Sequence, residues 1–565
     1  MSRLQPFLER TRIAYFSMEI AIRPEMHTYS GGLGVLAGDM ARSSADLDLP
    51  IIFVSLISRD GYVLQSLDDA GRQISEPNPW RPEDWAQPLG TMISVPIENR
   101  DVWVRPWVYF LTSPVGHEVP VLLLDTDLEQ NSAQDRAITD RLYGGDDIYR
   151  FKQEVVLGLG GALMLQALGF NIATYHLNEG HAALLTLHLL QRHRRPPQEI
   201  SAGESVYDRV HVRNQCVFTT HTPVAAAFDK FAYPDVRRVL GDFIELDELK
   251  RLAGEDHLNM TQLALSLSGY VNGVSERHAE TANRMFPGYR VHAVTNGVHA
   301  PTWTHPQFAA LYNRAFAHWA LEPEVLEAAD QIADDSIWLA HQQAKRELLA
   351  AIRAQTGVAM REDIPLIGFA RRMTQYKRAD LLFSDPQRLE AIAAKHPFQL
   401  VFAGIAHPRD QQGQELVAEL NRKIGGAPAT LPMAFLPNYN MALAATLVSG
   451  VDIWLNTPQR PLEASGTSGM KAALNGVLNF SILDGWWVEA HIEGVTGWSI
   501  GGDGPTDPGN DALGLYEKLE QVVLPAYYGS RGHWIWMMKQ AISKIGSYFN
   551  TQRVMRRYVT EAYFR

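Results

Sequence analysis

The chain has 565 residues, 46% of them hydrophobic, and a formal net charge of -12; that length exceeds one typical core, and ordinary apolar content argues against disorder. The acidic balance excludes nucleic-acid binding as the default, because a phosphate backbone needs a broad basic surface, so any anion site must be local. The sole cysteine, Cys216, cannot close an intramolecular disulfide, no apolar run is long enough to span a bilayer, and residues 1–10 lack the hydrophobic core of a leader, so a reduced, cytoplasmic setting is expected.

The β-type runs Ile13-Ala-Tyr-Phe-Ser17, Ile51-Ile-Phe-Val-Ser55, Val121-Leu-Leu-Leu-Asp125 and Cys216-Val-Phe-Thr-Thr220 alternate with longer helical patterns. That alternation predicts an α/β fold with a largely parallel sheet. After the first run, Tyr29-Ser-Gly-Gly-Leu-Gly-Val-Leu-Ala-Gly-Asp39 reads as a glycine turn entering a helix, where unpaired N–H groups could face an anion. A plain strand-to-helix turn explains it equally well, and it lacks the Gly-x-Gly-x-x-Gly spacing of dinucleotide binding. His176-Leu-Asn-Glu-Gly-His181 and Thr219-Thr-His-Thr-Pro223 are placed at strand ends. The two histidines of the former miss the i, i+4 step of a metalloprotease helix, so no metal is expected and hydrogen bonding within the fold is the plain alternative. His221, at a strand end in an α/β fold, is a candidate for substrate contact.

Val294-Thr-Asn-Gly-Val-His-Ala-Pro-Thr-Trp303 interrupts regular structure and marks a boundary. The helical region 306–356 is either a connector or the start of a second half. A second series of strands follows at Leu366–Ala370, Phe398–Ala403, Met433–Leu436 and Val451–Leu455, so the chain divides into α/β halves over 1–303 and 304–533. Ile500 to Asn510 reads as a loop, and residues 534–565 as a helical segment expected to pack back on the first half.

Arg371, Arg372, Lys377 and Arg378 follow the Leu366–Ala370 run, at the strand end where open α/β sheets hold ligands. A solvated basic face is the bland alternative. In Glu463-Ala-Ser-Gly-Thr-Ser-Gly-Met-Lys471 the glycines, Ser465, Thr467 and Ser468 can present donors to a phosphate, and Glu463 suits sugar hydroxyls. Composition alone favours Lys471 as an ordinary surface lysine.

Together these segments resemble the α-glucan (glycogen, starch and maltodextrin) phosphorylases. Glu463 to Lys471 is similar to that family's pyridoxal-phosphate attachment motif, with Lys471 at the Schiff-base position. Tyr15-Phe-Ser-Met-Glu19, Gly31-Gly-Leu-Gly34, Leu177-Asn-Glu-Gly-His181, Thr220-His-Thr222, Val271-Asn-Gly-Val274, Thr295-Asn-Gly297, Tyr376-Lys-Arg378, Phe435-Leu-Pro-Asn-Tyr439 and Leu483-Asp-Gly485 follow in the family's order. The resemblance implies the GT-B architecture: two Rossmann-like α/β domains, the second bearing pyridoxal 5'-phosphate, with the active site in the cleft between them. It implies that Arg372 and Lys377 bind substrate phosphate opposite Gly31 and Gly32, and that Thr467, Ser468, Arg371 and Tyr439 lie at the cofactor phosphate. Glu463, Ser465, Gly466 and Asn296 would contact the glucosyl unit, with His221 beside it.

The implied reaction is retaining phosphorolysis of an α-1,4-glucan by inorganic phosphate to α-glucose 1-phosphate, and a homodimer is the family's usual form. Some positions depart from the pattern. Ser468-Gly469-Met470 stands where many relatives have Gly-Asn-Met, and neutral Asn440 follows Tyr439 where some carry arginine. Tyr143-Gly-Gly-Asp-Asp147 looks like a trimmed active-site gate. Two other functions stay open: a sugar-nucleotide-dependent glucosyltransferase of the same architecture, against which the lysine loop argues, and a catalytically silent glucan-binding homologue, which intact Arg372, Lys377 and Lys471 disfavour.

Overall fold

Side chains alternate between the two faces of a strand, and the first sheet uses both faces. In the computed structural model, which describes residues 3–200, 204–224, 227–502, 504 and 507–564, Ile13–Ser17 lies parallel between Ile51–Leu56 and Thr174–Asn178. Ala14, Phe16, Ile52 and Val54 enter one hydrophobic core, whereas Ile13, Tyr15, Ile51 and Phe53 enter another on the opposite face. This double burial explains why these strands read as unbroken apolar runs.

The chain starts in the middle of this sheet and builds outward through Ile51–Leu56 and Glu118–Asp125. It then crosses to the other side for Thr174–Asn178, Cys216–Thr219, Tyr270–Gly273 and His292–Ala293, all parallel. One edge is antiparallel: Arg100–Thr112 pairs with Glu118–Asp125 and carries Gln87–Pro88 and Ile93–Ile97. That edge had no counterpart among the expected strands.

The second sheet repeats the plan with parallel strands only. Leu366–Ala370 is central, Gln399–Ala403 and Met433–Leu436 lie to one side, and Ile453–Asn456, Leu478–Ile482 and Gly497–Ile500 to the other. In each sheet the strand order reverses beside the first strand, and the loops leaving the carboxyl ends there diverge into a crevice.

Trp303 of the boundary segment and Phe308, Tyr312, Leu326 and Ile337 of the helical region share one core with Ile367 and Phe369 of the second sheet. Trp534, Ile535, Met538 and Ile542 belong to that same core, while Val554, Met555, Tyr558 and Tyr563 pack on the first sheet. The final helical segment therefore begins against one sheet and ends against the other. Of the loop at 500–510, residues 503, 505 and 506 lie outside the described residues, and a helix starts at Pro508. Among the described residues no helix is long and apolar enough to cross a membrane.

Candidate active site

The carboxyl ends of both sheets open onto one cavity of about 350 Å³, whose walls come from both halves of the chain. From the first half, the turn after Ile13–Ser17 supplies Gly31 and Gly32, the end of Cys216–Thr219 supplies His221, and Asn296 comes from the segment before Trp303. From the second half, Arg371, Arg372 and Lys377 follow Leu366–Ala370, and Tyr439 follows Met433–Leu436. The loop after Ile453–Asn456 brings Glu463, Ser465, Gly466, Thr467, Ser468 and Lys471. Every expected site residue thus lines the same space.

Lys471 is not a surface residue. It is 7% exposed on the short helix Ser468–Ala473, and its Nζ lies 3.7 Å from the ring centroid of Trp303. Burial pulls its pKa down to about 8, with Asp39 acting in the opposite sense and Arg42 in the same one. At neutral pH a minor fraction is therefore uncharged amine, far more than for a solvated lysine.

The carboxylate of Glu463 is shared by two cations: Oε2 lies 2.7 Å from Arg371 Nη2 and 2.6 Å from Lys377 Nζ. Burial opposes its ionisation, but those two neighbours outweigh burial and hold it down to about 2. The residues expected at phosphate and those expected at sugar are thus in direct contact. Arg371 keeps Nε and Nη1 buried without a hydrogen-bond partner, as are Ser465 Oγ and Asn296 Oδ1. Buried polar atoms of this kind are costly unless a ligand or water satisfies them.

Gly31 closes the opposite wall. A Cβ there would stand 3.2 Å from Arg372 Nη2, so a side chain would crowd the guanidinium. Arg372 also reaches Ser30 Oγ at 3.5 Å across the crevice. Burial lowers its pKa, but Tyr62, Glu19 and Tyr143 raise it further, so it stays charged. His221 is held at both ends: its N–H donates to Glu179 Oε2 at 2.7 Å, and Nε2 meets Asn178 Oδ1 at 2.6 Å. Burial, with His278 and His181 adding to it, lowers its pKa to about 3, so the ring is neutral.

His176 belongs elsewhere. It lies within Thr174–Asn178, not at the strand end, and its ring nitrogens meet Tyr563 Oη at 2.7 Å and Thr219 Oγ1 at 2.8 Å beneath the C-terminal helix. Tyr143 and His181 line a second, adjoining cavity of about 410 Å³ that shares His221 and Arg372 with the first.

The departures from the family pattern have local causes. Asn440 caps the helix Met441–Gly450, accepting the N–H of Leu443 at 3.0 Å through Oδ1. At Gly469 a Cβ would run into Asn479 Oδ1 and the Trp486 ring. Sequence reasoning missed Trp303, Tyr62 and Leu462, which also line the first cavity. Trp303 closes the boundary segment, and nothing local connects it to a lysine far along the chain.

A doubly wound α/β protein with a lysine, three cations and a carboxylate facing glycines across a crevice is built to bind a multiply charged anion beside a polar ligand. The profile of a family described as "Carbohydrate phosphorylase" matches residues 214–496. A maltodextrin phosphorylase of Thermococcus litoralis is 39% identical over 98% of this chain and 70% of its own length. Glycogen phosphorylases of Mycobacterium tuberculosis and Aquifex aeolicus are 36% and 32% identical, each over 98% of this chain, and over 71% and 86% of their own lengths. The chain belongs to the carbohydrate phosphorylase family.

Proposed function

We propose that the chain is a pyridoxal 5'-phosphate-dependent α-1,4-glucan phosphorylase of GT-B architecture, with residues 1–303 and 304–533 as its domains. One observation carries this reading: a buried lysine, three cations and a carboxylate, presented from the carboxyl ends of two sheets, share one cavity with a glycine turn. The named relatives act on maltodextrin or are glycogen phosphorylases, which supports an α-1,4-glucan and inorganic phosphate as substrates.

The residues present fit the cofactor. Lys471 offers a buried amine that loses its proton far more readily than a solvated lysine, and the unpartnered Arg371 nitrogens beside Thr467, Ser468 and Tyr439 are donors suited to a phosphate. When bound, the cofactor would supply a phosphate group able to exchange a proton with the substrate phosphate. Arg372 and Lys377 would hold the substrate phosphate against Gly31 and Gly32, and their charge would favour developing negative charge on it. Glu463, Ser465, Gly466 and Asn296 would fix the glucosyl hydroxyls. His221, neutral and tethered, would orient its loop beside the anomeric carbon.

In the reaction a phosphate oxygen bonds to the anomeric carbon and the glycosidic C–O bond breaks. The departing oxygen takes the proton of the substrate phosphate, leaving α-glucose 1-phosphate and a shortened glucan. The test is glucose 1-phosphate formation across a maltooligosaccharide series, with and without added pyridoxal 5'-phosphate. Phosphate-dependent release that rises with the cofactor is expected. Release from no α-glucan, or glucosyl transfer from a sugar nucleotide instead, would contradict the reading.

A further inference from the structure

The wall that faces Lys471 contains a carboxylate with no part in the scheme above. Asp39 lies on helix Gly32–Asp46 and is 1% exposed. Its Oδ2 accepts the indole Nε1–H of Trp303 at 2.7 Å and the backbone N–H of His299 at 3.2 Å. Its Oδ1 accepts Arg42 Nη1 at 3.2 Å, and Arg42 is itself held by the Ile22 carbonyl at 2.6 Å. The Trp303 ring that Asp39 grips is the one lying over Lys471 Nζ, where an aromatic face attracts an ammonium.

Trp303 is fastened from the other side as well. Asn475 Nδ2 donates to the Trp303 carbonyl at 2.9 Å and to the Lys471 carbonyl at 3.1 Å, and its Oδ1 accepts the His305 N–H at 2.7 Å. An indole held at its ring nitrogen by the first half and at its carbonyl by the lysine's own turn has little freedom to rotate. The charges near the ammonium are correspondingly few. Asp39 and Arg42 act on it from Gly32–Asp46. The elements packed against Ser468–Ala473, namely Met441–Gly450, Leu478–Ile482 and Ala300–Trp303, carry no charged side chain, and Lys544 of Ile542–Gly546 is exposed.

We propose that Asp39 is a positioning residue for Lys471: its carboxylate holds the Trp303 indole against the lysine side chain, and its charge, balanced by Arg42, sets how much of that lysine stands as free amine. The proposal deepens the reading of Lys471 as the attachment point and rests on it for its purpose. An ammonium has no lone pair to offer a carbonyl. A free amine forms the C–N bond with an aldehyde, and the aldehyde oxygen leaves as one water. Burial favours the free amine and Asp39 opposes it, so the carboxylate keeps the lysine poised between the two forms.

The test uses full-length protein cleared of carbonyl ligands with hydroxylamine and labelled with acetic anhydride across a pH series. The extent of labelling at Lys471 is read by peptide mass spectrometry. In the unsubstituted chain the midpoint should lie near 8. Asp39→Asn should move it down by about one pH unit and Arg42→Gln should move it up. Loosened packing would expose the lysine and raise the midpoint in both variants, so a downward shift cannot come from unfolding. A midpoint in Asp39→Asn that stays put or rises would overturn the proposal. Pyridoxal 5'-phosphate uptake is followed in parallel by borohydride trapping; absence of any adduct on Lys471 would overturn the attachment reading, and the labelling shift would still decide the role of Asp39.

Discussion

The choice between a surface lysine and a cofactor anchor turns on a few side chains around Lys471, and burial decides it. A lysine that is 7% exposed under an indole is held in place, unlike a solvated one on a helix. The motif around it was legible in the sequence because glycines, hydroxyls and a lysine at that spacing are unusual. Its partners Asp39, Trp303 and Asn475 were not, because they meet only after both halves of the chain have folded. The same scale explains Gly469. Asn479 Nδ2 donates to the Gly469 carbonyl at 3.1 Å, and its side chain occupies the space an asparagine at 469 would need. Gly469→Asn should therefore cost about 1–3 kcal/mol by overpacking, seen as a lower thermal midpoint. Adding Asn479→Ala should recover part of the loss. A Gly469→Asn protein as stable as the parent would refute this packing account.

Among elements, the central strands were readable because both of their faces are buried, which leaves an uninterrupted apolar run. The antiparallel edge Arg100–Thr112 alternates buried and half-buried positions over part of its length and so lacks that signature. His176 shows the limit of position within an element: it stands two residues inside either end of Thr174–Asn178, in the strand interior. The helix Asp334–Thr356 is tied to the second sheet through Asp452, whose oxygens meet Lys345 Nζ at 2.7 Å, His341 Nε2 at 2.9 Å and the Leu366 N–H at 2.7 Å. Burial opposes ionisation of Asp452, yet Lys345 and His341 hold it down to about 2 from 3.8. A depressed carboxylate stabilises the fold above its unfolded value and loses that contribution as pH falls, here between 3.8 and about 2. Asp452→Asn would leave Lys345 buried and unpaired, at a cost of about 3–5 kcal/mol. Urea unfolding at neutral pH should show a lower midpoint for the variant, with the gap narrowing toward pH 2. A pH-independent gap would contradict the assignment.

At the scale of the whole molecule, the crevice depends on contacts between chain segments far apart in sequence. Gln65, on the hairpin of Leu64–Leu67 and Gln73–Glu76, donates to the Gly404 carbonyl at 2.9 Å and accepts the Asn438 N–H at 2.8 Å. Gln73 exchanges two hydrogen bonds with the Ala406 backbone at 2.8 and 3.0 Å. The hairpin of the first half thereby holds the loops that carry Tyr439 and back Arg371. At the far end, Tyr558 and Tyr563 close over the first sheet by bonding Asn272, Thr219 and His176. The two series of parallel strands were legible from their spacing, whereas these cross-links involve polar residues without a local pattern. Everything proposed for this crevice depends on its holding pyridoxal 5'-phosphate on Lys471, and the direct measurement is borohydride reduction of the loaded protein followed by peptide mapping. A phosphopyridoxyl group on Lys471 is the predicted result; glucose 1-phosphate release by a protein carrying that group on another residue, or none at all, would contradict it.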